Sequence, residues 1–320
     1  MIVGAAVVLL CAVLGASAKP IPMNTRFVPE AATPPLKTMR LHREVGVRAP
    51  APHLYSFDYE ISLRGVQYSA AAYCSNSTVK DWSCKPCHGA GLPALSDINV
   101  FYAKKTSTYG YVGLDSVNKY IVVAFQGTHN LKQWIDDLKF MKTDLHYPGA
   151  GSDVKVHRGF YEAYQEVKGT VDRFVESTFR QNPNYRILVT GHSLGAALAA
   201  MCSLDLSIQF PSASIYHYTF GQPRVGNAPF YDFFKQSSIK ASFRFVHNRD
   251  IVPHLPLEAM GFHHIATEVF YKEQFSGPES LHECNGSGED PDCSDQFNVD
   301  ISISDHLNYL GFTVDTDACH

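Results

Sequence analysis

The stretch Arg186-Ile187-Leu188-Val189-Thr190-Gly191-His192-Ser193-Leu194-Gly195-Ala196-Ala197-Leu198-Ala199-Ala200 decides the fold class. Its apolar first part reads as a buried strand, its glycine pair as a tight turn, and its small-residue remainder as a helix that can lie close to a sheet. The spacing Gly191-His192-Ser193-Leu194-Gly195 is G-x-S-x-G in the one context that gives the pattern meaning, a strand-to-helix turn. Ser193 then sits at the apex with its hydroxyl above the sheet edge. Glycines flank it because side chains there would collide as strand and helix pack. The helix N-terminus favours negative charge developing at Ser193.

A serine hydroxyl is a poor nucleophile without an imidazole to take its proton, and the imidazole needs a carboxylate to fix its tautomer. For a strand-turn-helix elbow the partners follow in the order serine, acid, histidine. Downstream, Phe243-Arg244-Phe245-Val246 reads as a strand leading into His247-Asn248-Arg249-Asp250-Ile251-Val252-Pro253-His254-Leu255-Pro256. Asp250 ends that strand in a proline-punctuated loop, where an acid can reach over the sheet. His306, in Ser304-Asp305-His306-Leu307-Asn308-Tyr309, is the best placed of the late histidines, with His254, His263, His264, His282 and His320 as rivals. Asp305 reads as a local loop or cap residue.

These blocks carry a family likeness. The chain resembles the secreted triacylglycerol lipases of filamentous fungi, the class 3 lipases. The blocks are Val123-Ala124-Phe125-Gln126-Gly127-Thr128, Trp134-Ile135-Asp136-Asp137-Leu138, Gly191-His192-Ser193-Leu194-Gly195, Gly221-Gln222-Pro223-Arg224-Val225-Gly226-Asn227, Asp250 to Pro256, and Asp305 to Tyr309. They run in the family order from about Phe57 to Cys319. The resemblance implies Ser193 as nucleophile, Asp250 as orienting acid and His306 as base, in agreement with the residue-level reading. An oxyanion hole needs two backbone N–H groups. One falls on Leu194, the residue after the nucleophile. The other, by resemblance, falls on Thr128, whose hydroxyl can also donate. Gln126 departs from the family, which carries arginine there, and the departure bears on lid anchoring or local charge rather than on the chemistry.

Leu131, Trp134, Ile135 and Leu138 fall at i, i+3, i+4 and i+7, an apolar stripe on one helix face, and Asn130 with Gln133 resembles a capping box. Four such side chains represent roughly 6–12 kcal/mol of burial. In water the stripe must lie on apolar surface, and the nearest is the acyl groove over Ser193. At an oil–water interface it can face lipid instead, so the helix is expected to act as a lid. By resemblance Asp137 orients Thr128 when the lid opens. The alternative is a permanently docked amphipathic helix.

Met1–Ala18 carries an apolar run over Ile2–Leu14 and ends Ala16-Ser17-Ala18, a secretory signal with an A-x-A-like cleavage site that lacks a charged n-region. The run is too short to span a membrane comfortably. Residues 19–52 are proline-rich, with six basic against two acidic residues, a net of +4 beside −4 for the whole chain. They read as a propeptide or flexible arm. The body, residues 53–320, is accordingly acidic, which argues against a nucleic-acid partner. It reads as one catalytic domain, with 45% of the full chain hydrophobic.

Strand-like runs at Tyr120–Phe125, Ile187–Thr190, Ser214–Thr219 and Phe243–His247 alternate with helical stretches near Phe160–Gln181, Leu194–Gln209 and Ala228–Gln236, which means a layered α/β fold. By resemblance it is an α/β-hydrolase-type mixed central sheet flanked by helices. Cys202, on the helix after the elbow, is expected to be buried and free. Cys74, Cys84, Cys87, Cys284, Cys293 and Cys319 permit fifteen pairings. Resemblance implies Cys74–Cys319, Cys84–Cys87 and Cys284–Cys293. Asn76-Ser77-Thr78 and Asn285-Gly286-Ser287 are N-glycosylation sequons. No cofactor and no metal constellation is expected.

The expected protein is a secreted monomeric serine hydrolase that cleaves acylglycerol esters through an acyl-enzyme on Ser193, adsorbing transiently to lipid. Phospholipase A1, feruloyl or other soluble-ester hydrolysis are alternatives on the same fold. An inactive lipase-like binding protein is the alternative outside catalysis.

Overall fold

A computed structural model describes residues 56–137, 139–297 and 301–319. The expected signal sequence (residues 1–18), the expected propeptide or arm of residues 19–52, Leu138 and His320 lie outside them.

The chain enters through α1 (Tyr59–Ala71), started by Asp58, whose carboxylate accepts the Ile61 N–H at 3.1 Å. The short α2 (Asn76–Lys80) follows. Three antiparallel-linked strands come next: β1 (Ser96–Ala103), β2 (Thr108–Asp115) and β3 (Tyr120–Phe125). After β3 lie α3 (Leu131–Asp137) and a two-stranded ribbon of β4 (Lys142–Asp144) and β5 (Lys155–His157). Then α4 (Arg158–Gln181), β6 (Arg186–His192), α5 (Leu194–Gln209), β7 (Ile215–Phe220), α6 (Ala228–Lys235), β8 (Ala241–His247), β9 (Glu268–Tyr271) and β10 (His282–Glu283) alternate. A single turn, α7 (Ile303–His306), and the hairpin β11 (Asn308–Tyr309) with β12 (Phe312–Thr313) close the described chain.

One eight-stranded sheet runs β1-β2-β3-β6-β7-β8-β9-β10. Its five central strands, β3 to β9, are parallel, and its outer pairs on both sides are antiparallel. The sheet is therefore mixed. The central strands are near-continuous apolar runs because helices cover both faces. In β3, Ile121, Val123 and Phe125 join one core with α4 and α5, while Val122 and Ala124 join the other with α1. β6 alternates the same way, Ile187 and Val189 against Leu188. The helix α4 buries Phe160, Ala163, Tyr164, Val167, Val171 and Val175, one stripe at helical spacing. Beside it on the same face of the sheet, α5 packs on β3, β6 and β7 and is buried nearly all round, which its small residues permit.

The structure bridges Cys74–Cys319, Cys84–Cys87 and Cys284–Cys293, and Cys202 is buried and free. No described helix is long and apolar enough to cross a membrane. The carboxyl ends of β3, β6, β7 and β8 lie side by side, so the segments following them, at Thr128, Ser193, Gly221 and Asp250, gather at one sheet edge. In open α/β sheets ligands bind at that edge.

Candidate active site

Ser193 sits between β6 and α5 with φ 60 and ψ −129, a strained conformation for a non-glycine residue. The flanking glycines are explained by distance. A Cβ on Gly191 would stand 2.4 Å from the Gly195 carbonyl group, and a Cβ on Gly195 would stand 2.3 Å from the Phe125 carbonyl oxygen. The turn therefore closes only where strand and helix backbones touch. The Ser193 N–H donates to the Phe220 carbonyl at 3.0 Å, which fixes the elbow to β7.

Asp250 follows β8 and is fully buried. Its carboxylate accepts the Val252 N–H at 2.8 Å and the Tyr309 hydroxyl, and both its oxygens face His306 Nδ1, at 2.9 and 2.8 Å. His306 ends α7, which Ser302 caps by accepting the Asp305 N–H. The segment before it is fastened to the acid loop by Ser302 N–H to the Arg249 carbonyl at 2.6 Å and Ile251 N–H to the Ser302 carbonyl at 3.3 Å. With Nδ1 engaged by a carboxylate, the proton sits there and Nε2 is left with its lone pair. His306 Nε2 and Ser193 Oγ are both buried, each without a hydrogen-bond partner among the described residues. Both line the same cavity of about 140 Å³, with Thr128, Leu131, Ile303 and Leu307 around them. Two unsatisfied buried polar atoms are expensive in a core and expected where a substrate completes the network.

The rival histidines go elsewhere. His264 donates to the Pro253 carbonyl, His263 lies against Glu289, His254 belongs to a 3₁₀ turn and His282 is exposed on β10. Of the described histidines, His129, His192 and His306 line the Ser193 cavity.

Three residues that sequence reasoning passed over support His306. Tyr309 holds the second face of Asp250. Burial and the Asp250 charge push its hydroxyl well above the usual range, so it stays a donor. His192 lies inside the G-x-S-x-G block. Its Nε2 is 2.7 Å from the His306 carbonyl, and its Nδ1 is 2.8 Å from the Tyr73 hydroxyl. Burial, reinforced by His306, drives its pKa well below the ordinary imidazole range. A neutral ring facing a carbonyl donates from Nε2 and accepts Tyr73's proton at Nδ1. Arg224 of the Gly221–Asn227 block donates to the His254 carbonyl at 2.9 Å and to both oxygens of Glu289, and so holds the loop that follows Asp250. The expectation for Asp305 needs correcting. Beyond its place in α7, its carboxylate accepts Asn248 Nδ2 at 2.9 Å and the Arg249 N–H at 3.2 Å, tying the histidine turn to the acid loop.

Thr128 is half-buried and lines the same cavity as His306. Leu194 begins α5, where helix geometry leaves the first N–H groups without internal acceptors. Gln126 is buried, donates to the Ala72 carbonyl at 2.8 Å and lies 3.1 Å from His129 Nε2. It ties the Thr128 loop to α1 rather than presenting a charge.

Over this cavity lies α3. Its Asn130 accepts the Gln133 N–H at 3.2 Å and donates to the Gln133 side chain. None of its residues is fully buried. Leu131, Trp134 and Ile135 are half-buried, while Lys132, Gln133, Asp136 and Asp137 are exposed. Leu131 roofs the Ser193 cavity. Trp134 lies flat on Phe160, centroids 6.2 Å apart, within a second groove of about 520 Å³ that Met141, Phe160, Ala163 and Leu194 also line. Asp137 borders that groove and makes no hydrogen bond to Thr128. Under this helix Ser193 and His306 are each 1% exposed.

Comparison with known proteins finds relatives that share the fold. The family model for class 3 lipases matches residues 122–260. A lipase of Rhizomucor miehei is 35% identical over 258 residues, covering 78% of this chain and 68% of that protein. A secreted mono- and diacylglycerol lipase of Penicillium cyclopium is 34% identical over 213 residues, covering 64% of this chain and 68% of that protein. The solved Rhizomucor miehei lipase propeptide complex superposes with a TM-score of 0.71 at 34% identity, covering 81% of each chain.

Proposed function

The chain belongs to the class 3 lipases, and on that premise we propose how its own residues hydrolyse the carboxylic esters of acylglycerols. Ser193 Oγ attacks the ester carbonyl carbon while His306 Nε2 takes its proton. Asp250, held by Tyr309 and the Val252 amide, keeps the imidazole oriented and stabilises the imidazolium. The oxyanion is received by the N–H groups of Leu194 and Thr128. His306 then protonates the leaving alcohol, and water, activated by the same histidine, clears the acyl-enzyme. The observation that carries this reading is the pair of unpartnered buried atoms, Ser193 Oγ and His306 Nε2, facing one cavity while Nδ1 is committed to Asp250.

The helix α3 acts as the lid. Its three described apolar side chains are only half-buried, so closing it is worth roughly 2–5 kcal/mol, about half of full burial. A lipid surface can offset that much, and opening then exposes the apolar groove to the acyl chain. Residues 1–18 act as a secretion signal and residues 19–52 as a propeptide. This reading is supported by the three disulfides, by the secreted relative and by the propeptide that the Rhizomucor miehei lipase structure contains.

The test is the initial rate against tributyrin, taken through the solubility limit, with a triolein emulsion beside it and Ser193→Ala as the paired variant. A rise in rate as droplets appear, turnover of triolein, and loss of both in the variant are expected. Smooth saturation without triolein turnover would remove the lid from the account. Substantial hydrolysis by Ser193→Ala would remove the nucleophile.

A further inference from the structure

Catalysis requires His306 to hold one position, yet it ends a single helical turn, α7. A turn that short has little internal bonding, and its last carbonyls must find partners outside it. Two imidazoles lie against them, each the last residue of a central strand. His192 ends β6, and its Nε2 lies 2.7 Å from the His306 carbonyl oxygen. His247 ends β8, and its Nδ1 lies 2.9 Å from the Asp305 carbonyl oxygen. Consecutive carbonyls of the turn are thereby tied to two different strands of the sheet. The Asp305 carboxylate meanwhile accepts Asn248 Nδ2 and the Arg249 N–H, from the two residues after His247. Residues 247–249 thus grip Asp305 by main chain and side chain, directly before Asp250.

The His247 ring is itself held in place. It lies face to face with Tyr271, centroids 4.7 Å apart at 9°, and edge-on to Tyr309 at 6.1 Å. Its Nε2 lies 2.8 Å from the Glu273 carbonyl oxygen, on the exposed segment after β9. Carbonyls only accept, and a neutral imidazole carries one N–H. One ring nitrogen therefore faces the turn that carries His306, and the other faces a surface segment. We propose that His247 is a positioning residue: its Nδ1–H holds the Asp305 carbonyl and so sets His306 against Asp250 and Ser193. The proposal rests on the acyl-enzyme reading above. Without that bond the turn keeps its side-chain tie and loses a main-chain one. A drift of about 0.5 Å is enough to spoil a catalytic geometry. The bond from Nε2 to Glu273 steadies the surface segment and does not enter the rate.

Two amides separate the two bonds. Asparagine places its amide nitrogen as many bonds from Cβ as Nδ1 stands, and glutamine as many as Nε2. His247→Asn therefore keeps the Asp305 bond and gives up Glu273, while His247→Gln does the reverse. His247→Phe keeps a ring on Tyr271 and gives up both. The assay is kcat and KM on a soluble short-chain nitrophenyl ester, with thermal unfolding beside it. His247→Phe and His247→Gln should each lose about tenfold in kcat, with KM within about twofold of wild type. His247→Asn should hold kcat within about threefold of wild type, even where it melts below His247→Gln. Three results overturn the proposal: rates that follow thermal stability instead of the Asp305 bond, a His247→Gln as active as His247→Asn, or a folded His247→Phe with kcat within about twofold of wild type. If His247→Phe fails to fold, the asparagine and glutamine pair decides. Ser193→Ala keeps the two readings apart. Residual hydrolysis in that variant sinks the acyl-enzyme, whereas an inactive Ser193→Ala beside an unimpaired His247→Phe sinks only the positioning role.

Discussion

Replacing Gly221 by alanine should damage the reaction far more than the fold. Gly221 follows β7 with φ +57, and a Cβ there would lie 2.8 Å from His306 Cε1 and Nδ1 and 2.9 Å from Asp250 Oδ2. Ordinary contacts at a Cβ begin near 3.4 Å. The imidazole or the carboxylate must therefore retreat by about 0.6 Å, and displacements of that size exceed what a catalytic constellation tolerates. A shift of 1 Å can cost on the order of a hundredfold, so kcat should fall about 10- to 100-fold, or about 1.4–2.7 kcal/mol of transition-state stabilisation. The left-handed backbone adds about 1–2 kcal/mol of destabilisation for alanine, a loss of several degrees in Tm. The assay is kcat and KM on a soluble short-chain nitrophenyl ester, with thermal unfolding alongside. KM should move little, because the acyl groove is untouched. The control is Gly169→Ala in α4, where a Cβ meets nothing within 4 Å. That variant should keep full activity and gain about 0.5–1 kcal/mol. If Gly221→Ala folds and keeps kcat within twofold of wild type, the claim that this position sets the His306–Asp250 geometry is refuted.

Two further outcomes are expected. Breaking Cys74–Cys319, which closes a separation of 245 residues, should cost about 5 kcal/mol and about 10 °C or more in Tm. Breaking Cys84–Cys87, with a separation of 3, should cost under about 2 kcal/mol. Double alanine variants that melt together would contradict this ranking. His157 caps α4 and stacks on Phe160 at 4.0 Å, and burial pushes its pKa down to about 4. Between about pH 6.5 and 4 the unfolded chain therefore binds a proton that the folded chain refuses. The contribution of His157 is fully present above pH 6.5 and drains at up to about 1.4 kcal/mol per unit as pH falls. His157→Asn retains a capping side chain and removes the titration. The wild-type advantage in urea midpoint should shrink from pH 7 to pH 4.5, and an advantage independent of pH would rule the titration out.

The elements that the residues alone disclose are those whose environment is uniform along the chain. The strands β3 and β6 are buried on both faces, so their apolar runs are visible in one dimension, and α4 shows its stripe because only one face is covered. The elbow is legible because its requirement is local: two glycines and a serine at fixed spacing determine a turn that no other residues could close. The strands β1, β2, β9 and β10 and the helix α1 carried no such signal. β9 and β10 are short, β1 is unevenly covered, β2 is buried throughout but interrupted by Gly110 and Gly113, and α1 is buried on most sides, so neither period appears. The site divides along the same line. Ser193, Asp250 and His306 could be nominated from residue type and order, with family likeness supporting the choice among six histidines. That His306 meets Asp250 across a sequence separation of 56 follows from the packing of β8 against the closing segment. So do the neutral tautomer of His192, the buttress from Tyr309 and the Asp305 tie between two loops. Local sequence sets backbone preference and the rhythm of burial. Hydrogen bonds between distant segments exist only after the chain has collapsed, because the burial that makes them strong and the distances that make them possible are both products of the tertiary fold.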